Sequence, residues 1–168
     1  IWGLLRDQYP GSEIGYFYQW DGLQYLAELE AMSTQKNVKV EEDSELLADR
    51  ATVTEAIEYI KEKKPNLMGI IIDEPDHTGH AYGFDSDEYL QKLNGLDGFV
   101  GEIIDAVKEA GFFDNTIFIV TSDHGGLEKK HGGKTMEEME TAFIVYGKNV
   151  KKGYTFTESM MQYDVAST

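Results

Sequence analysis

The chain has 168 residues, 41% hydrophobic and 27% charged, the balance of an ordinary globular domain. Its net charge of −16 sets long-range repulsion against a nucleic-acid backbone, so no nucleic-acid duplex is expected as a partner. No run reaches the ~20 apolar residues of a membrane helix, and with no cysteine present any bound metal must be held by Asp, Glu and His.

In chain order, Ile14 to Trp20 reads as an aromatic-rich strand whose Tyr16, Phe17, Tyr18 and Trp20 are core candidates. Leu23 to Leu29 reads as a short apolar helix, and Val38 to Val40 as a short strand leading into an acidic turn at Glu41-Glu42-Asp43. From Leu46 to Lys64 the pattern is helical: Val53, Ile57 and Ile60 share one face, and Pro65 ends the helix. Leu67 to Ile72 is a continuous apolar run, expected as a strand buried on both faces.

A longer helix is predicted over 87–110, with Tyr89, Leu93, Leu96, Val100, Ile103 and Val107 as its apolar stripe and Gly111 as its stop. Thr116 to Thr121 then reads as a second buried strand and Phe143 to Tyr146 as a third. Strands alternating with helices imply parallel strands joined by right-handed crossovers, hence an α/β layered architecture.

Ligands of open α/β sheets gather beyond the carboxyl ends of the strands. Two predicted strands run into the most polar segments of the chain, Asp73 to His80 and Ser122 to Gly133, and these contain all four histidines. Neutral imidazole and carboxylate oxygen are the donors zinc accepts. Asp76 and His80 converge on one ion if the segment after the strand makes a helical turn. Asp123 and His124 are adjacent at a strand end, and His131 is close enough in sequence to fold back over the same pocket.

The segments DEPDHTGHAYG, TSDHGG, KKHGGKT and QYDVAST resemble the metal motifs of the alkaline phosphatase superfamily, with the type I phosphodiesterase/nucleotide pyrophosphatase family the nearest match. The resemblance runs from about Asp73 to Thr168. It implies an alkaline-phosphatase-like layered sandwich, a mostly parallel sheet flanked by helices and incomplete at both ends, with residues 1–168 forming part of a single catalytic domain. It also implies that Asp76, His80 and His131 ligate one divalent ion and Asp123 and His124 a second. Zinc is the family's metal, and manganese also suits Asp and His donors.

The resemblance further implies a small phosphate-ester or nucleotide substrate, a periplasmic or secreted location, and a Thr or Ser nucleophile upstream of this chain. No catalytic nucleophile is assigned within it, so the fragment is expected to be inactive alone. The short spacing to HGG is similar to that of GPI ethanolamine phosphate transferases; in nucleotide pyrophosphatases the corresponding His commonly lies farther along the chain. Alternatives within the superfamily are a phosphomonoesterase, a sulfatase-like enzyme, a phosphoglycerate mutase or a phosphoethanolamine transferase; outside enzymes, a non-catalytic metal-binding domain. His77 matches no ligand position and is expected beside the ligands or on the substrate side. Asp73 and Glu74 are read as supports for the ligand histidines or as the end of the strand, and Lys129, Lys130 and Lys134 as solvated loop residues.

Overall fold

A computed structural model describes residues 1–40 and 45–167; the acidic turn expected at Glu41-Glu42-Asp43 and the terminal Thr168 lie outside the described residues. Strand β1 (Ile14–Tyr18) is central in a parallel sheet, flanked on one side by β2 (Thr34–Asn37) and on the other by β3 (Leu67–Ile70). Every residue of β1 is buried, because both its faces are covered. On one face, helix α2 (Glu45–Lys63) packs Ala56 and Tyr59 against Phe17, with Met68 and Ile70 alongside. On the other, Trp2 of helix α1 (Trp2–Gln8) packs on Tyr16, with ring centroids 5.8 Å apart. Helix, sheet and helix thus form three layers, the α/β arrangement expected.

Helix α3 (Asp76–Tyr82) follows β3 directly, and α4 (Asp87–Glu109) lies against α2. Ser86 caps α4 by accepting from the Tyr89 N–H, and Gly111, at φ +81°, lets the chain leave it. Ile60, Ala106 and Val107 form a second core cluster, against which Ile103, Phe113 and Phe118 pack. Phe118 belongs to β4 (Ile117–Thr121), so this cluster joins the helical layer to the second sheet.

That second sheet departs from expectation. Strands β4 and β5 (Phe143–Gly147) pair antiparallel, with Ile119 opposite Val145. A parallel pair needs a crossover of a dozen or more residues, usually helical. Between β4 and β5 the only α-helix among the described residues is the single turn α5 (Met136–Met139). Nor is β4 a buried strand: Ile117 is 55% and Ile119 49% exposed, since Phe118 alone turns toward the core cluster.

Smaller differences share one cause, the position of a segment in the sheet. The strand expected at Val38 to Val40 lies one step earlier, at β2. Its Thr-Gln-Lys-Asn sequence carries no apolar signal because an edge strand has a solvated side. The run Leu67 to Ile72 is half-buried because β3 is the other edge of the sheet. The helix expected from Leu23 to Leu29 is replaced by two short 3-10 turns, Asp21–Tyr25 and Leu29–Ala31, leaving Tyr25 and Leu26 exposed. Trp20 is 61% exposed beyond the end of β1, whereas Tyr16, Phe17 and Tyr18 are core. On α4, Phe99, Ala106 and Val107 are buried deepest; Leu93 is exposed.

Candidate metal centre

The site lies past the C-terminal ends of β3 and β4. Helix α3 supplies the helical turn that Asp76 and His80 require. Positions i and i+4 share a helix face, and His80 Nε2 stands 3.3 Å from Asp76 Oδ2. The loop after β4 brings the other imidazoles to the same carboxylate: His131 Nε2 is 3.6 Å and His124 Nε2 3.9 Å from Asp76 Oδ1. Donor atoms of Asp76, His80 and His131 all lie within 4.8 Å of one another. Asp123 joins from the rim, its Oδ2 3.7 Å from His124 Nε2, with 88% of its side chain exposed. The five side chains singled out in the sequence therefore occupy one place.

The donor set suits a divalent cation on three counts. First, Asp76 Oδ1 is buried and accepts no hydrogen bond from the described residues; the 3.6–3.9 Å separations to the imidazoles are too long to be one. A buried acceptor without a partner costs roughly 1–3 kcal/mol.

Second, His80 Nδ1 is 2.9 Å from the Lys129 carbonyl and His124 Nδ1 2.8 Å from the Gly125 carbonyl. A carbonyl only accepts, so both Nδ1 atoms carry hydrogen. In the neutral imidazoles, Nε2 therefore presents a lone pair to a carboxylate oxygen. Lone pair facing lone pair is repulsive unless a positive charge is shared between them, and carbonyls that accept from the far ring nitrogen in this way are what hold metal-binding histidines in register. Third, the His124 and His131 rings stack at 3.7 Å with a 17° interplanar angle. Two imidazolium charges would repel in that arrangement, whereas two neutral ligands would not.

Several supports escape the sequence motifs. Phe84 packs against Gly79 and Gly126, at each of which a β-carbon would overlap its ring. Lys129, expected as a solvated loop residue, ties the two segments together: its carbonyl receives His80 and its Nζ donates to the Ala81 carbonyl at 2.7 Å. Glu138 closes a capping box with Thr135 and accepts from the Gly133 N–H, shaping the HGG turn. Gln162, in the QYDVAST segment, donates to the carbonyls of Ser122 and Asp123. The sequence signal for Phe84 was weak, because only its two glycine neighbours reveal its slot.

Behind α3, Glu74 is buried and accepts from both the N–H and the hydroxyl of Thr78, while Lys92 Nζ lies 2.9 Å away. Burial opposes its ionisation, but the Lys92 ammonium and the Thr78 donors outweigh it and hold the carboxyl below its usual value. The Asp73 carboxyl is raised, by burial above all. His77 faces away from the cluster, lining a groove of about 930 Å³ with Thr78, Tyr82, Lys92 and Phe99. It lies near enough to Asp73 to oppose part of that rise. Deeper still, Asp49 is fully buried, and its carboxyl is pushed up to about 6 by burial, against the pull of a hydrogen bond from Gln19.

A parallel-centred α/β sandwich with carboxylates and imidazoles gathered at one rim is the alkaline-phosphatase-like class of fold. A putative sulfatase from Bacteroides thetaiotaomicron superposes with a TM-score of 0.72 over 90% of this chain and 47% of its own, at 15% identity. Murine ectonucleotide pyrophosphatase / phosphodiesterase 5, in complex with AMP, superposes with a TM-score of 0.50 at 30% identity, over 74% of this chain and 32% of its own. Residues 8–155 match the family model for type I phosphodiesterase / nucleotide pyrophosphatase, and the chain belongs to that family. The rat ectonucleotide pyrophosphatase/phosphodiesterase family member 7 is 32% identical over 126 residues, 74% of this chain but 28% of the relative. The chain thus spans less than a third of that relative's length.

Proposed function

We propose that the full protein is a metal-dependent hydrolase of phosphodiester or nucleotide pyrophosphate bonds, in which Asp76, His80 and His131 hold one zinc ion and Asp123 and His124 contribute to a second. The observation that carries this reading is the convergence of three imidazoles on Asp76, whose Oδ1 is buried without a hydrogen-bond partner. Membership of the phosphodiesterase family supports it.

Two bound divalent ions would stabilise the entering and leaving oxygens of a displacement at phosphorus. The chain's own residues prepare for that work. Asp76 supplies the negative donor common to the imidazoles. The Lys129 and Gly125 carbonyls fix the tautomers of His80 and His124 so that each Nε2 faces inward. The surrounding acidic charge repels an anionic substrate until cations reverse the local field, so binding of a phosphate ester follows binding of metal. The attacking Thr or Ser, with the remaining ligands of the second ion, is assigned to residues outside this chain. A location outside the cytoplasm is proposed from the relatives named as ectonucleotide enzymes.

A second reading, transfer of a phosphoethanolamine group in place of hydrolysis, draws on His131. The short HGG spacing that places it beside Asp76 is the spacing similar to that of GPI ethanolamine phosphate transferases.

The test is hydrolysis of a nitrophenyl phosphodiester by the full-length protein. Activity should disappear on chelation, return with zinc, and be lost in Asp76→Ala. Full activity in Asp76→Ala sinks the reading; metal-dependent consumption of a phosphoethanolamine donor without nitrophenyl release favours the second.

A further inference from the structure

We propose that Phe84 is a positioning residue for the metal centre: its ring, wedged into a slot made by two glycines from separate segments, sets the planes of the His80 and His131 imidazoles. The inference rests on the metal reading above and adds a residue to which the ligand motifs assign no role.

Phe84 leaves α3 just after Gly83, whose φ of +120° turns the chain back toward the site. Its ring then stands edge-on to both imidazoles, with centroids 5.8 Å from His80 at 78° and 6.4 Å from His131 at 86°. His80 and His131 themselves are 4.9 Å apart. A near-perpendicular ring limits the rotation of each imidazole about its χ2, which is otherwise broad for a terminal sp³–sp² torsion. His80 has a carbonyl to fix its plane. Among the described residues no carbonyl holds the His131 ring in that way, so Phe84 and the stacked His124 ring are the surfaces that define its plane.

The slot is built from both sides. Gly79 lies on α3 and Gly126 in the loop after β4, and a β-carbon at either would overlap the Phe84 ring. The surrounding chain is fastened across the same gap: the Phe84 N–H donates to the Glu128 carbonyl at 2.7 Å, and Lys129 Nζ to the Ala81 carbonyl. On its far side the ring rests against Tyr89 at 5.5 Å, which anchors it to α4. Helix α3 and the HGG loop each carry one of the two histidines, and the Phe84 ring is the apolar body that both segments meet.

The experiment measures metal binding in the full-length protein by titration with zinc alone, and the visible spectrum of the cobalt(II) form. Phe84→Ala should weaken zinc binding about ten- to a hundredfold, the scale of losing a residue that orients a metal ligand, and should shift the cobalt bands because the ligand angles change. Phe84→Tyr, which keeps the ring, should retain the parent affinity and spectrum. Gly126→Ala, which pushes the ring from the opposite side, should reproduce the effect of Phe84→Ala. If Phe84→Ala does not fold, Phe84→Leu takes its place, filling the slot without a flat face. Parent affinity and an unchanged cobalt spectrum in a folded Phe84→Ala or Phe84→Leu protein overturn the proposal while leaving the metal reading intact. Failure of the parent protein to bind zinc overturns both.

Discussion

His131 Nε2 stands 3.6 Å from Asp76 Oδ1, although 55 positions separate the two residues in the chain and no hydrogen bond joins them. Asp76 rides on α3 and His131 on the loop that follows β4, so their approach is a consequence of how the two segments are docked. The same carboxylate also faces His80 and His124, which makes it the common electrostatic element of the cluster.

Replacing Asp76 with Asn therefore removes the charge while keeping the shape. Zinc binding by the full-length protein should fall by at least about a hundredfold, on the order of 3 kcal/mol at 1.4 kcal/mol per decade. His77→Ala, on the other face of α3, should leave zinc affinity near the parent value. Isothermal titration of the two variants with zinc separates them, and equal losses would remove the assignment of Asp76.

The isolated 168-residue chain is expected to be catalytically silent. On the proposed reading it supplies Asp123 and His124 to a second ion but not the attacking nucleophile. A nitrophenyl phosphodiester incubated with this chain and excess zinc should be hydrolysed at the rate of zinc alone. Turnover well above that background, lost in Asp123→Ala, would refute the expectation.

Asp49 predicts a pH dependence of stability. Its folded-state carboxyl is raised from the ordinary aspartate range to about 6, chiefly by burial. The folded protein thus binds a proton more tightly than the unfolded chain. The associated stability is complete below about pH 4 and is lost as pH rises through about 6. The neighbouring charges act on it too: Glu74 and Asp73 raise it and Lys92 lowers it. Asp49→Asn keeps an acceptor for Gln19 and carries no charge to bury. It should raise the stability at pH 7.5 by up to about 3 kcal/mol, from roughly two pKa units at 1.36 kcal/mol each. Below pH 4 it should change little. Urea denaturation at the two pH values checks the sign.

Lys92 meets Glu74 behind α3. Lys92→Met preserves the aliphatic stem and removes the ammonium, leaving a buried carboxylate whose remaining hydrogen-bond donor among the described residues is Thr78. A loss of roughly 1.5–3 kcal/mol is expected, the range for a hydrogen bond to a charged group. The double variant with Glu74→Gln should recover part of it, and a double-mutant cycle in urea measures that coupling.

Much of this molecule is legible along the chain. Helices α2 and α4 are announced by their apolar spacing and by Pro65 and Gly111 at their ends, and they fall within a residue or two of the expected bounds. Strand β1 reads correctly because a central strand covered on both faces must be apolar throughout. The ligand candidates were visible because an imidazole-rich segment beyond an apolar strand has few structural uses. Less was legible where neighbours, and not local composition, set the outcome. Edge strand β2 has no apolar pattern, and the antiparallel turn of β5 depends on the absence of a crossover helix between it and β4.

By itself, then, the amino-acid order determined the α/β rhythm and the five polar side chains that belong together, since periodicity and ligand chemistry are properties of short segments. Only the tertiary structure decided that Asp76 stands at the centre with an unpaired buried oxygen, that His131 closes the group, and that Phe84 fills a slot between two glycines. Those facts depend on the docking of α3 against the loop after β4. Contacts between segments about fifty residues apart leave no periodic trace in either one.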